Sequence, residues 1–173
     1  MKSFSIAILL GLTASLAGCA DSVSKPVPVM ALAPEQKTAL KISGVATEAA
    51  PGVQMSQWDL DRISSRVVSE LSTSGGVYVA QGNPDAATAS KMKIVLTKYD
   101  SGNAFARAMF AGLGQIEIEA NVVLLNSAGA TVAEYKVSKD FAFGGIYGAS
   151  TSIEDVEVGF AKSVAAIIAD HKA

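Results

Sequence analysis

Two runs of alternating apolar and polar residues, 115–126 and 130–141, stand on either side of Ser127-Ala128-Gly129. Period-two alternation of that length fits a strand with one covered face, and a short Gly-containing connection between two such runs makes them a β-hairpin. Setting Asn126 opposite Gly129 pairs Val123 with Val132, Ala120 with Tyr135, Glu119 with Lys136 and Ile118 with Val137. Apolar then meets apolar and acid meets base. Ile116, Ile118, Ala120, Val122, Leu124, Ala133, Tyr135 and Val137 fall on the core face, and Glu117, Glu119, Asn121, Glu134, Lys136 and Ser138 on the outer one.

The remaining elements supply a covering layer and further strands. Leu40, Ile42 and Gly44 alternate with polar neighbours over 38–48 and predict a strand that Pro51-Gly52 ends. Ser56 and Asp59 form a capping pair ahead of Leu60, Ile63, Val67, Val68 and Leu71 at helical spacing, with Gly75-Gly76 as the stop. Val77-Tyr78-Val79-Ala80 reads as a short buried strand, Asn83-Pro84-Asp85 as a turn, and 91–100 as a strand with Met92, Ile94 and Leu96 on one face. Thr151 and Glu154 resemble a second capping box, opening an amphipathic helix with Ile153, Val156, Phe160, Val164, Ile167 and Ile168 on one stripe. This order predicts an α/β two-layer sandwich over residues 38–173: a mixed sheet of about five strands with two main helices on one face.

With 173 residues, 50% apolar and 17% charged, the chain has room for one such core. Fourteen basic against sixteen acidic side chains leave a net charge of −2 and no basic field for nucleic acid. One Cys and one His exclude an internal disulfide framework and a cysteine-rich zinc site. Lys2 followed by an uncharged run over 3–18 reads as a signal peptide, too short to span a bilayer stably. The run ends in Leu16-Ala17-Gly18-Cys19, which resembles the bacterial lipobox, so the mature chain is expected to start at a lipidated Cys19. Two or more acyl chains hold a protein effectively permanently at a membrane. The resemblance to sorted lipoproteins implies the outer membrane, with the domain facing the periplasm, because Ala20 and not Asp follows the cysteine. Pro26, Pro28 and Pro34 among small residues make 19–37 an expected extended tether.

Thr97-Lys98-Tyr99-Asp100-Ser101-Gly102-Asn103-Ala104 running into Arg107, then Gly112-Leu113-Gly114, then Val122-Val123-Leu124-Leu125 and Val132-Ala133-Glu134-Tyr135, resemble the bacterial lipoprotein family of domain of unknown function 4410. A further glycine usual in that segment is replaced by Gln115. The resemblance implies a fold and an envelope location. It implies no activity.

Gly112-Leu113-Gly114 leads into a strand and not a helix, which argues against a phosphate loop. Asp59 with Asp61, and Glu154, Asp155 and Glu157, lie in first turns of helices, where negative charge offsets the macrodipole. His171 near the C-terminus reads as a solvated side chain, and no serine sits in a nucleophile elbow. No catalytic, metal-ligating or cofactor-binding set is therefore expected. Phe105, Arg107, Met109, Phe110 and Leu113 form the most apolar segment outside the predicted elements, and Phe143-Gly144-Gly145-Ile146-Tyr147-Gly148 resembles it. Either segment covers the open end of the core or offers a contact surface. Lid behaviour is the expectation for at least one of Phe105 and Phe110, and the two segments are expected at one end of the sheet. The functional expectation is a non-enzymatic binding or accessory module for an envelope protein or cell-wall component. The alternative is a carrier of a small apolar ligand or lipid between helices and sheet.

Overall fold

A computed structural model describes residues 23–169 apart from 75–76 and 111–112. The signal segment, Cys19, Gly75-Gly76, Gly112 and His171 lie outside the described residues. Strands β1 (Val27–Met30), β2 (Ile42–Ala49), β3 (Ser90–Asp100), β4 (Ile116–Leu125) and β5 (Thr131–Phe141) form one sheet in the order β1-β5-β4-β3-β2. Only β2 and β3 are parallel. They are joined through α2 (Gln57–Thr73), the crossover that a parallel pair requires. Helix α5 (Ile153–Ala169) lies over β5 and β4, and α2 lies over β2 and against α5. The expected two-layer α/β sandwich, five strands under two main helices, is what the chain builds.

Alternation puts Ile94, Leu96, Ile118, Val122 and Leu124 on the helix side of the sheet, where Ile63, Val67 and Leu71 of α2 and Val156, Phe160 and Val164 of α5 close over them. All are buried. The other face of the sheet is mostly polar, carrying Glu119, Asn121, Lys136, Ser138 and the Lys93–Glu48 pair at 2.8 Å, with half-buried Val95 and Val123 among them. Helix α2 starts on the expected reciprocal cap: Ser56 Oγ accepts from Asp59 N, and Asp59 Oδ2 accepts from Ser56 N, each at 3.2 Å.

Four sequence expectations need correction. The hairpin register is displaced by two residues, with Ala120 opposite Val137 and Ile118 opposite Lys139. Asn126 Oδ1 accepts from the amides of both Ala128 and Ala130, which makes the loop one residue longer, and Val132 bulges out between Leu125–Thr131 and Leu124–Ala133. A shift of two preserves the faces, so every residue assigned to the core side is buried.

Residues 27–39 are part of the domain and not tether. β1 pairs antiparallel with β5, and α1 (Pro34–Ala39) starts at a proline that serves at the first helical position. Leu32 between them is buried, with its amide donating to Tyr135 Oη at 3.0 Å. Val77-Tyr78-Val79 makes only an isolated parallel bridge from Tyr78 to Ile42, so β1 is the fifth strand in its place. The second capping box is Ser152 with Asp155, one residue later than expected, because Thr151 closes α4 (Gly145–Ser150) by donating from N and Oγ1 to Tyr147 O.

Candidate functional site

The two glycine-bearing segments meet at one end of the sheet, where β3 and β5 finish and β4 begins. After β3, Asp100 Oδ1 accepts from Gly102 N, and Asn103 caps α3 (Ala104–Met109) by accepting from Ala106 N. Gly102 and Gly114 both have φ above +60°, and a Cβ on Gly102 would lie 2.2 Å from the Gln115 carbonyl oxygen. Only glycine lets these backbones touch. α3 packs against α4, where a Cβ on Gly148 would lie 2.1 Å from Phe143 O.

Arg107 ties the assembly together from inside. Its Nε donates to Gly148 O at 2.8 Å, Nη1 to Ser101 O at 3.0 Å and Gly114 O at 2.7 Å, and Nη2 to Thr151 O at 3.1 Å. The guanidinium thereby binds four carbonyls of the two segments, and Gly114 O accepts from Asn103 N as well. Arg107 is 3% exposed, so its expected place on the contact surface is corrected: it supports that surface from beneath. The lid expectation is corrected too. Phe105 is 70% exposed and Phe110 55%, because Arg107 occupies the inward side of a six-residue helix. Met109, Leu113, Ile146 and Tyr147 are exposed beside them, as is Phe143, whose ring lies 5.9 Å from buried Phe141. Arg107 is the one charged residue within 101–116, and 141–153 has none.

A second polar cluster lies in the helix layer. A bulge at Thr97 in β3 shifts the register between Leu96 and Lys98, turning Tyr99 to the helix side opposite Ile118. There Tyr99 Oη donates to Glu157 Oε1 at 2.7 Å, and Arg62 binds both oxygens of Glu157 at 2.7 and 2.8 Å. Arg66 approaches at 3.4 Å, and Asp59 pairs with Arg62 at 2.8 Å. The hydrogen bond to Glu157 holds the Arg62 guanidinium protonated well above its ordinary range. Burial, then the bond to Glu157, pushes the Tyr99 phenol up. The Ser56 hydroxyl holds Asp59 below the usual carboxylate range, and hydrogen bonds from its own backbone and from Ser152 do the same for Glu154. Glu157, grouped above with helix-dipole carboxylates, is instead wholly buried with both oxygens occupied. It sits on the apolar stripe with Ile153 and Phe160, and a carboxylate at such a position needs a buried partner. Arg62 and Tyr99 carried no comparable mark.

An open cleft of about 390 Å³ lies at the opposite end of the sheet, lined by Leu32, Gln36, Asp85, Ser90, Asn126 and Val132 among others. The space between helices and sheet, where a carrier pocket was the alternative, is filled by the buried side chains of the core. Among the described residues no group of three His, Cys, Asp or Glu converges as a metal site, and no helix is long and apolar enough to cross a membrane.

A family model described as Domain of unknown function (DUF4410) matches residues 27–145, starting at the first residue of β1. Among solved structures, a one-residue variant of PelC from Paraburkholderia phytofirmans, a dodecamer, aligns with TM-score 0.53 at 11% identity, covering 80% of this chain and 93% of its own. A second PelC dodecamer from the same organism gives 0.52 at 12% identity, covering 80% and 92%. These likenesses are of fold. No curated protein matches the chain.

Proposed function

The chain belongs to the family described as Domain of unknown function (DUF4410), and from that premise we propose that it is a lipoprotein anchored through Cys19 in the outer membrane, its domain facing the periplasm as a non-enzymatic binding module. The partner is another envelope protein or a cell-wall component. The observation that carries this reading is the division of the surface. A mostly polar sheet face stands open to solvent. The densest group of exposed large apolar side chains, Phe105, Met109, Phe110, Leu113, Ile146 and Tyr147, gathers at one end, apart from Val27, Val29 and Met30 on the edge strand and Trp58 on α2. A carrier would need an apolar cavity beneath the helices, and that layer is filled. The reading of the domain as non-enzymatic is supported by Glu157, the buried carboxylate at the centre of the polar cluster, whose oxygens are both committed to Arg62 and Tyr99.

Fatty-acid labelling of cells tests the anchor: the parent chain should incorporate label and Cys19→Ala should not, and label in that variant would overturn the lipoprotein reading. Ala20→Asp should move the protein to the inner membrane. A photo-crosslinking residue at Asn121, on the open sheet face, should give a discrete adduct in intact envelopes, and no adduct there would remove that face as the binding surface.

A further inference from the structure

We propose that the α3–α4 end of the domain faces the bilayer, and that Phe105, Met109, Phe110, Leu113, Ile146 and Tyr147 enter the interfacial layer of the membrane that holds the lipid anchor. The inference rests on the reading of Cys19 as lipidated and names what covers the apolar end.

The first support is the direction of the chain. β1 sets Met30 opposite Glu134 and Val27 opposite Lys136, so moving toward the N-terminus means moving along β5 toward Phe141 and the α3–α4 end. Seven residues separate Cys19 from Val27, eight chain steps with a reach of at most about 29 Å. From Lys136 to Phe141 β5 runs five residues, about 17 Å. Ser24 N donates to Ser163 Oγ at 2.7 Å, which holds the chain over α5 five positions from the cysteine, ten residues and about 15 Å along the helix from its start at the α3–α4 end. Because β1 and α1 take up residues 27–39 apart from the turn between them and Ser24 is held on α5, the five chain steps from Ser24 to Cys19 span at most about 18 Å. The domain therefore lies close to the membrane, and the apolar end is within that reach.

The second support is chemistry. Apart from Arg107, whose donors are committed to backbone carbonyls, the two segments expose no charge that would have to leave water. Phenylalanine, methionine and isoleucine supply apolar area, and tyrosine suits the headgroup level because its ring and hydroxyl prefer different media. Rigid presentation by Arg107 avoids ordering a loop on contact.

The test uses the acylated full chain on phosphatidylethanolamine–phosphatidylglycerol vesicles. With the Cys19 thiol consumed by the lipid, Ile146→Cys and, separately, Ala128→Cys at the hairpin tip each give one thiol for an environment-sensitive fluorophore. The label at 146 should shift to the blue, lose access to an aqueous quencher several-fold and be quenched by a lipid-borne quencher, while the label at 128 stays in water. Chains that float with the vesicles but leave 146 open to the aqueous quencher overturn the proposal and spare the anchor. Chains that do not float overturn both. Protection at 146 without quenching from the lipid, rising with protein concentration, assigns the surface to a second copy and also overturns it.

Discussion

Two buried charged side chains hold two regions of this domain, by different means. In the helix layer Glu157 is neutralised by Arg62 and Arg66, and around it α2 and α5 already bury Ile63, Val67, Val156 and Phe160 against the sheet. At the sheet end Arg107 has four carbonyl oxygens and little apolar packing around it, because the large side chains of α3 and α4 point outward. The first arrangement is an ion pair inside a core. The second is a strut in place of a core, and it frees the apolar side chains for contact.

The largest effect is expected in the helix layer. Glu157→Ala strands Arg62 and Arg66 without their carboxylate and should cost about 3–5 kcal/mol, read from the denaturation midpoint of the whole domain. Arg107→Met should cost less, about 1–3 kcal/mol, because water can reach the released carbonyls once the end opens. Its signature is local: amide exchange should quicken in α3 and α4 and stay slow in β4 and β5. Equal global losses with no local change would erase the distinction between the two regions.

A pH dependence comes from described residues of the helix layer, Tyr99, Asp59 and Glu154. Tyr99 titrates higher folded than unfolded, so its contribution is intact below its ordinary value of 10.0 and is lost as pH rises beyond it. Asp59 and Glu154 titrate lower folded than unfolded, so their contribution is present above their ordinary values of 3.8 and 4.5 and is lost as pH falls. Urea midpoints between pH 9 and 12 should therefore decline in the parent and flatten in Tyr99→Phe. An unchanged decline in that variant would remove Tyr99 as its source.

What the sequence discloses differs between the same regions. The face assignment of the hairpin is legible because parity survives a two-residue shift, whereas its register depends on the reach of the Asn126 side chain and the Val132 bulge. The stripe of α5 is legible from spacing, and Glu157 upon it is a visible anomaly whose partners come from another helix and another strand. β1 is not legible: all four of its residues are exposed and one is Pro28, so no burial pattern marks it, and only the free edge of β5 makes it a strand. At the sheet end, Arg107 stands out as a lone charge among apolar residues. Its inward direction, which decides that Phe105 and Phe110 point out, comes from carbonyls up to 44 residues away in sequence.

The smallest effect should come from the apolar surface itself. Phe105→Ala and Phe110→Ala should each change stability by no more than about 0.5 kcal/mol, where a lid over the core would lose about 3–5 kcal/mol for each ring. Thermal melting of the two variants separates these cases.

Hydrogen exchange on the acylated full chain, in vesicles and in detergent-free monomeric form, tests most directly that this end is built to be covered by the membrane. The account predicts added protection on vesicles within 104–113 and 143–150, with the hairpin tip at 127–129 unchanged. Equal exchange at both ends in the two states, or protection at the tip instead, would contradict it.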